Sequence, residues 1–279
     1  MAEFFTRRRE SGEYGLALFL NAGDPPLSVL AELVSMLDER GVDCLELAVP
    51  FPDSVTDGPT IRRSARRALD AGGVELADVL DFVARVRPRL RGMRIALLAD
   101  WSYSIKPRRL HSVVGDIAES GVDGLLLHAL PPMLRADYHA AAADAGLPIV
   151  TTCYHGVSSQ RVMDEAAANA SAYLYLVAHY GKSGTTSTSG GPELATTIAA
   201  LRARTSAPIA VGFGVRTRAD AKAVAANGAD AVIVGSAGVA RVESALSTGR
   251  DVIADFEDFV SSIAAPDEEF TEIRTGGSP

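Results

Sequence analysis

Two carboxylates, Glu46 and Asp57, mark the stretch of this sequence that is best suited to chemistry. Glu46 stands in the apolar run Leu45–Val49, and Asp57 ends the polar loop after it, directly before Gly58-Pro59. A glutamate among aliphatic side chains is costly to bury unless something uses its charge. Two acids in unlike surroundings can divide into a proton donor and a charge stabiliser, so the pair predicts acid–base catalysis.

Each of these acids also has a structural interpretation, which the sequence leaves open. Glu46 could be a buried structural carboxylate that a buried arginine or backbone amides satisfy. Asp57 could be a helix N-cap, because Asp57-Gly58-Pro59 places proline just inside a helix that would start there.

Glycine-rich turns follow three apolar runs in the second half of the chain and suit the binding of an anion. They are Gly181-Lys182-Ser183-Gly184, Gly212-Phe213-Gly214 and Gly235-Ser236-Ala237. Backbone N–H groups in such turns can face a phosphate, and the start of a helix adds positive potential. The first turn is not a Walker A loop, because Leu176 stands where its first glycine should be. The alternative is that these glycines only make turns.

Eight short apolar runs predict the strands that must position these residues. Their predicted bounds are Leu16–Asn21, Cys44–Val49, Arg94–Ala99, Gly124–His128, Ile149–Thr152, Ala172–Ala178, Ile209–Gly212 and Ala231–Gly235. Helix-like stretches lie between them, among them Leu27–Arg40, Arg108–Ser120, Met133–Ala145, Pro192–Arg204 and Thr217–Asn227. Glycine tags such as Gly41-Val42-Asp43, Gly121-Val122-Asp123 and Gly228-Ala229-Asp230 predict left-handed helix ends directly before strands.

Strands that are apolar almost throughout favour a parallel sheet covered on both faces. Eight strand–helix repeats favour a single α/β (β/α)8 TIM barrel over the alternative, a Rossmann-like open sheet, which lacks its glycine fingerprint here. We expect one barrel domain over residues 1–265 and a disordered tail over 266–279. Functional groups then belong at the C-terminal ends of the strands, where Glu46, Asp57 and the glycine turns fall.

Composition sets aside several other classes of protein. The chain has 279 residues and a net charge of −8, and its arginines are scattered, which argues against nucleic-acid binding. It shows neither a signal peptide nor an apolar run long enough for a membrane span, so we expect a cytoplasmic protein that binds no membrane. Cys44 and Cys153 are far apart in apolar runs, which predicts buried free thiols rather than a disulfide or a metal site.

Taken together, these residues resemble the α subunit family of tryptophan synthase, from about Leu16 to Ala264. The pieces that carry the resemblance are residues 19–25, 45–51, 57–61, 173–177, 212–215 and 235–237. The resemblance implies a TIM barrel that cleaves indole-3-glycerol phosphate to indole and glyceraldehyde 3-phosphate. The implied reaction is a retro-aldol cleavage that uses neither a metal nor a cofactor.

The resemblance also implies roles for individual residues. Glu46 would be the acid/base group, Asp57 would bind the indole N–H, and Tyr175 would lie near Glu46. Glycine and serine residues would hold the phosphate mainly through backbone amides. The substrate-binding residues implied in this way are Phe19, Asp100, His128, Ser183, Gly184, Gly212, Phe213, Gly214, Gly235 and Ser236.

Several positions depart from the family pattern. Asp100 and His128 stand at the aryl end of the implied pocket in place of apolar or aromatic groups, and Tyr154 stands where the family usually has a proline-rich turn. They indicate either a changed substrate, or a cap residue at Asp100 and a loop-bonded histidine at 128. Ser54 and the Ser/Thr-rich loop 185–191 also differ, in regions that respond to a β subunit in the family.

Three functions therefore remain open at the level of sequence. The first is an indole-3-glycerol phosphate lyase, with a pyridoxal phosphate-dependent β subunit as partner or acting alone. The second is a lyase of the same family that acts on a different small phosphorylated substrate. The third is a non-catalytic partner that activates a β-like enzyme.

Overall fold

All eight predicted strands form in the computed structural model, which describes residues 4–11, 13–52, 54–178, 191–212 and 214–264. The strands are β1 (Gly15–Asn21), β2 (Cys44–Ala48), β3 (Arg94–Asp100), β4 (Gly124–His128), β5 (Val150–Tyr154), β6 (Tyr173–Val177), β7 (Ile209–Gly212) and β8 (Ala231–Val234). Every pairing is parallel, in the order β4-β3-β2-β1-β8-β7-β6-β5. The sheet curls into a nearly closed barrel, so the predicted (β/α)8 class is confirmed.

The barrel closes weakly at one place. β4 and β5 are joined by a single bridge, Leu125 to Ile149, near the start of both strands. The predicted fifth strand began at Ile149, whereas the observed one runs from Val150 to Tyr154, because Ile149 is used in that bridge.

Helices cover the outside of the barrel. They are α1 (Thr6–Ser11), α2 (Leu27–Glu39), α3 (Pro59–Asp70), α4 (Leu76–Val86), α5 (Leu110–Glu119), α6 (Arg135–Asp144), α7 (Gln160–Asn169), α8 (Pro192–Arg202), α9 (Arg218–Ala225), α10 (Ser236–Thr248) and α11 (Val252–Ala264). The five helices whose bounds were predicted all form, with ends shifted by a few residues. None of the helices in the described segments has the length and apolar character needed to cross a membrane.

The glycine tags end helices as predicted. Gly41, Gly121 and Gly228 have φ of 75°, 88° and 93°, the left-handed region that glycine adopts without strain. The aspartate of each tag forms two hydrogen bonds with one residue of the preceding strand. Its backbone N–H donates to the carbonyl of that residue, and its carboxylate accepts the N–H of the same residue. The pairs are Asp43 with Leu16, Asp123 with Ile95, and Asp230 with Ile209.

The barrel interior is filled at its N-terminal end by aromatic rings. Phe4 and Phe5 enter from the N-terminus, and both rings pack on Tyr173, with centroids 5.3 and 5.4 Å away. Small side chains on the other strands make room for these rings, among them Ala17, Cys44, Ala96, Ala210 and Ala231. The filled lower half leaves the ligand-binding space at the C-terminal end of the strands.

The predicted tail at 266–279 and the predicted loop residues Ser183 and Gly184 lie outside the described residues, as does Phe213. Cys44 and Cys153 are buried free thiols, as predicted.

Candidate active site

Glu46 points into the barrel from the middle of β2. Glu46 is 3% exposed, so its carboxyl is buried among the aliphatic residues of its strand. The Tyr173 hydroxyl on β6 donates a hydrogen bond of 2.7 Å to Glu46 Oε1 across the barrel. Neither an arginine nor a backbone amide in the described part of the chain donates to this carboxylate, so the structural interpretation of Glu46 finds no support there.

Burial controls the ionisation of Glu46. Removal from water raises the pKa of its carboxyl to about 7, against a smaller lowering by the Tyr173 hydrogen bond. A group with this pKa holds or releases a proton readily near neutral pH, as a general acid and base must.

Tyr175 lies two residues after Tyr173 on the same inward face of β6. Burial raises the pKa of its hydroxyl well above the usual value, and the negative charges of Glu46 and then Asp57 raise it further. The phenol is therefore neutral, and it lies close enough to both acids to feel their charge. Tyr175 thus interacts electrostatically with both of the acids that were predicted to be catalytic.

Gly212 at the end of β7 provides the space that Tyr175 occupies. A Cβ at this position would lie 2.7 Å from the Tyr175 ring and hydroxyl. The absence of a side chain at Gly212 therefore makes room for Tyr175, and its predicted contact with the phosphate stays a prediction.

Asp57 lies on the loop between β2 and α3. The N-cap of α3 is Gly58, and no side chain caps that helix, so the alternative interpretation of Asp57 as the cap is wrong. Its backbone N–H donates to Ser54 Oγ at 3.3 Å, and Ser54 also contacts the Thr56 hydroxyl. Ser54 is a departure from the family pattern that holds this loop together.

A buried polar pair that the sequence analysis missed fixes α3 against the barrel. Asn21 Nδ2 at the end of β1 donates to Ser64 Oγ at 3.0 Å and to the Ile61 carbonyl. Arg67 on the same helix forms two hydrogen bonds with Asp24 and one with Glu243 on α10. The polar residues Asn21 and Asp24, at and just after the end of the first predicted strand, are the feature of the sequence that could have indicated these contacts.

The phosphate end of the predicted site lies at β1, β7 and β8. Gly235 is the N-cap of α10 and Ser236 begins that helix, without a side-chain cap on its free N–H groups. Gly214 adopts a φ of 88° after β7. Phe19 is buried on β1 in register with Glu46, and its Cβ lies 3.9 Å from where a Gly235 Cβ would stand. These residues place backbone donors on the side of the mouth formed by β8 and β1.

Asp100 takes the structural role that the sequence left open. Its Oδ1 accepts hydrogen bonds from the backbone N–H groups of Ser102 and Tyr103 at 2.8 and 3.1 Å, in the π-helical turn Trp101–Ile105. The side chain is almost fully buried. Asp100 is therefore a cap of that turn, as the structural alternative expected, and its predicted contact with a ligand stays a prediction.

His128 at the end of β4 belongs to a row of aromatic rings. Its ring stacks on Phe51 with centroids 6.2 Å apart, and Phe51 stacks on Tyr103 at 5.6 Å. Residues of the described segments form no hydrogen bond to the ring nitrogens of His128. The contact with the loop after β2 is thus a stack, not the hydrogen bond of the alternative interpretation.

Within the described segments, no cluster of three or more His, Cys, Asp or Glu side chains has the arrangement of a metal centre. The Glu46 and Asp57 carboxyls, the Tyr175 phenol that interacts with both of them, and the backbone donors at the start of α10 suit proton transfer and anion binding.

Comparison with known proteins agrees with this geometry. A family model described as tryptophan synthase alpha chain matches residues 5–266. The tryptophan synthase alpha chain of Geobacter sulfurreducens is 36% identical over 267 residues, covering 94% of this chain and 97% of that protein. The one from Gloeobacter violaceus is 37% identical, covering 90% and 89%.

Solved structures give the same result. The tryptophan synthase subunit alpha of Legionella pneumophila superposes with a TM-score of 0.81 at 27% identity, covering 93% of this chain and 94% of that one. A tryptophan synthase structure from M. tuberculosis gives 0.79 at 25%, covering 94% and 96%. The chain therefore belongs to the tryptophan synthase alpha chain family.

Proposed function

We propose that this protein is a lyase that cleaves indole-3-glycerol phosphate to indole and glyceraldehyde 3-phosphate. The observation that carries the proposal is the buried Glu46 carboxyl, whose pKa is about 7 and which lies near Tyr175 and Asp57. A carbon–carbon cleavage of this kind needs an acid for the ring carbon, a base for the hydroxyl and an anion near the ring nitrogen.

The protonated Glu46 begins the reaction by donating its proton to C3 of the indole. The ring becomes an indolenine cation, whose N–H the Asp57 carboxylate binds. The Glu46 carboxylate then takes the proton of the hydroxyl next to the ring as the C–C bond breaks. The bonding electrons return to the ring, the hydroxyl carbon becomes the aldehyde, and Glu46 is again protonated.

Binding of the phosphate supplies the positioning. The free N–H groups at the start of α10, together with Gly214, Gly235 and Ser236, form an anion site on the β8 side of the mouth. A substrate held there by its phosphate extends across the mouth towards Glu46. The side chains named here perform each step of this aldolase-type cleavage, and the scheme uses no cofactor.

Exposed apolar side chains support a β-type subunit as partner. Val55, Tyr103, Met133 and Val157 are 90%, 54%, 85% and 61% exposed. They lie on the successive loops after β2, β3, β4 and β5, so they share one sector of the C-terminal face. Large apolar side chains grouped in this way mark a surface that another protein covers.

The test is indole release from indole-3-glycerol phosphate by the purified chain, alone and with a bacterial tryptophan synthase β subunit. Glu46→Gln keeps the shape and the acceptor for Tyr173 but cannot exchange the proton. We expect it to lower kcat/KM by about 10²- to 10⁴-fold. Equal release by the wild type and Glu46→Gln, or no release by the wild type in either condition, would contradict the proposal.

A further inference from the structure

The barrel has a lateral opening between β4 and β5. The two strands are held by one bridge, from Leu125 to Ile149, and make no further ladder beyond it towards their C-terminal ends. Every other neighbouring pair of strands is joined by a continuous ladder of at least three residue pairs. The unpaired gap therefore lies between the C-terminal ends of β4 and β5, next to the ligand-binding space.

A cavity of about 290 Å³ fills this gap. Its inner wall consists of side chains that face the barrel interior, among them His128, Thr152 and Tyr154. Its outer wall is formed by α6 and α7, where Val162, Glu165, Ala166 and Asn169 share one helix face. The cavity thus runs from the mouth of the barrel, through the sheet, to the helix layer. Its volume is near the lower end of the roughly 300–1,000 Å³ of small-molecule sites.

The position of this cavity relates it to one end of the substrate. In the strand order, the β4–β5 gap is opposite the β8–β1 pair, where α10 begins. A substrate anchored by its phosphate at β8 therefore directs its aryl end towards the gap. This step rests on the proposed function, because it takes the phosphate and aryl ends from that substrate.

The inner wall offers polar groups that the fold leaves available. The Thr152 hydroxyl and the His128 ring nitrogens have no hydrogen-bond partner among the described residues. On the outer wall, Arg135 and Glu165 form an ion pair at 2.5 Å, and the half-buried His139 packs on Tyr138. An unsubstituted aryl ring gives these groups no partner, whereas a polar substituent on the ring does.

We propose that the cavity between β4 and β5 is a subsite for a polar substituent on the benzo ring of an indole-3-glycerol phosphate. The ring carbons farthest from the glycerol chain, C5 and C6, carry the substituent into the gap. Thr152 and His128 give its hydrogen bonds. The preferred substrate is thus a hydroxyl-bearing aryl glycerol phosphate.

The test compares kcat/KM for three substrates, namely indole-3-glycerol phosphate and its 5-hydroxy and 5-methyl derivatives. We expect the wild type to cleave the hydroxy compound at least as fast as the parent and about tenfold faster than the methyl compound. Thr152→Val removes one hydroxyl without a change of shape and should lower the hydroxy-to-methyl ratio about threefold or more. Val162→Trp fills the cavity from α7 and should lower the ratio of hydroxy compound to parent at least tenfold.

Ala168→Trp is the matched control for the cavity-filling variant, because Ala168 is exposed on the same helix and does not line the cavity. It should leave both ratios unchanged. Calorimetric binding of 5-hydroxyindole and indole to the wild type is a second readout that does not depend on the folding of any variant. Tighter binding of indole than of 5-hydroxyindole would overturn the inference.

Two other results would overturn the inference. One is a wild type that cleaves the parent but rejects both derivatives, and the other is a ratio that Val162→Trp does not change. In both cases cleavage of the parent leaves the proposed function standing. Failure to cleave all three substrates would instead overturn the proposed function, and this inference with it.

Discussion

At the scale of single residues, the site depends on where one proton is held. Glu46 is buried on a strand of aliphatic residues, and its only hydrogen-bond donor in the described chain is the Tyr173 hydroxyl. Because one neutral donor does not replace water, the carboxyl holds its proton up to about pH 7. The same burial that destabilises the charged form makes the residue an acid and base near neutrality.

This burial predicts how stability depends on pH. The unfolded carboxyl ionises near 4.5 and the folded one near 7, so the folded state binds more protons between these values and loses stability as pH rises. At about 1.4 kcal/mol per pKa unit, the loss amounts to about 3 kcal/mol. Glu46→Gln should therefore gain stability relative to wild type between pH 5 and pH 8, as urea unfolding at each pH would measure. A constant difference across this range would contradict the assignment.

Gly212 gives a second prediction at this scale. In Gly212→Ala the new methyl group meets the Tyr175 ring at 2.7 Å, so the ring must move away from Glu46 and Asp57. We expect kcat/KM for indole formation to fall about 10²-fold, as for a misplaced catalytic constellation. Gly115→Ala on α5, whose added methyl meets nothing within 4 Å, is the control and should keep full activity.

At the scale of elements, the polar contacts at the two ends of the barrel have different roles. At the N-terminal end, the aspartates of the three glycine tags join each helix end to the strand before it. At the C-terminal end, Arg67 links the β1 loop to α10 through Asp24 and Glu243. The first set of contacts serves stability, and the second orients the helices that carry the loop of Asp57 and the phosphate end.

Asp230 provides the prediction for this scale. Its carboxylate accepts the Ile209 N–H at 2.7 Å and also pairs with Arg202. Asp230→Ala leaves a buried N–H without its acceptor and should cost about 1–3 kcal/mol in the free energy of unfolding. Asp81→Ala on the exposed side of α4 should cost far less. Because Asp230 lies at the N-terminal end of the barrel, away from the site, the folded variant should keep its kcat/KM. A large loss of kcat/KM would contradict this structural role.

At the scale of the whole molecule, the loops after β2 to β5 form one sector of the C-terminal face. Their exposed apolar side chains are available to a partner, while the proposed phosphate site lies on the loops after β7 and β8. In the proposed function, the surface for a protein partner is therefore separate from the surface for the anion. The β4–β5 gap lies beneath the partner sector.

This separation predicts the effect of a charge on the partner sector. Met133 is 85% exposed after β4, so Met133→Glu should leave the activity of the chain alone unchanged. It should weaken binding of a β-type subunit about tenfold or more, because a charge must then be desolvated in the interface. Titration of the β subunit against the rate of indole formation measures this, with the exposed Leu246→Glu on α10 as control. Equal weakening by both variants would remove Met133 from the interface.

The barrel and its eight strands could be predicted from the sequence, which also supplied the candidate residues of the site. Apolar runs with glycine tags repeat along the chain. Such a repeat can be read from short stretches of sequence, because it does not depend on contacts between distant residues. The acid in an aliphatic strand was visible for the same reason, since burying Glu46 without a use for it would be too costly. The predicted family was confirmed by the family model that matches residues 5–266.

Which groups meet in the site depends on contacts between segments that are far apart in the sequence. Tyr173 is far from Glu46 in sequence, and the closure of the barrel brings its hydroxyl to the carboxylate. The contacts of Gly212 with Tyr175 on β6 and of His128 with Phe51 on the loop after β2 likewise join segments that are distant in sequence. The β4–β5 gap could not be seen in the sequence, because pairing between strands is a long-range property that neither strand encodes alone.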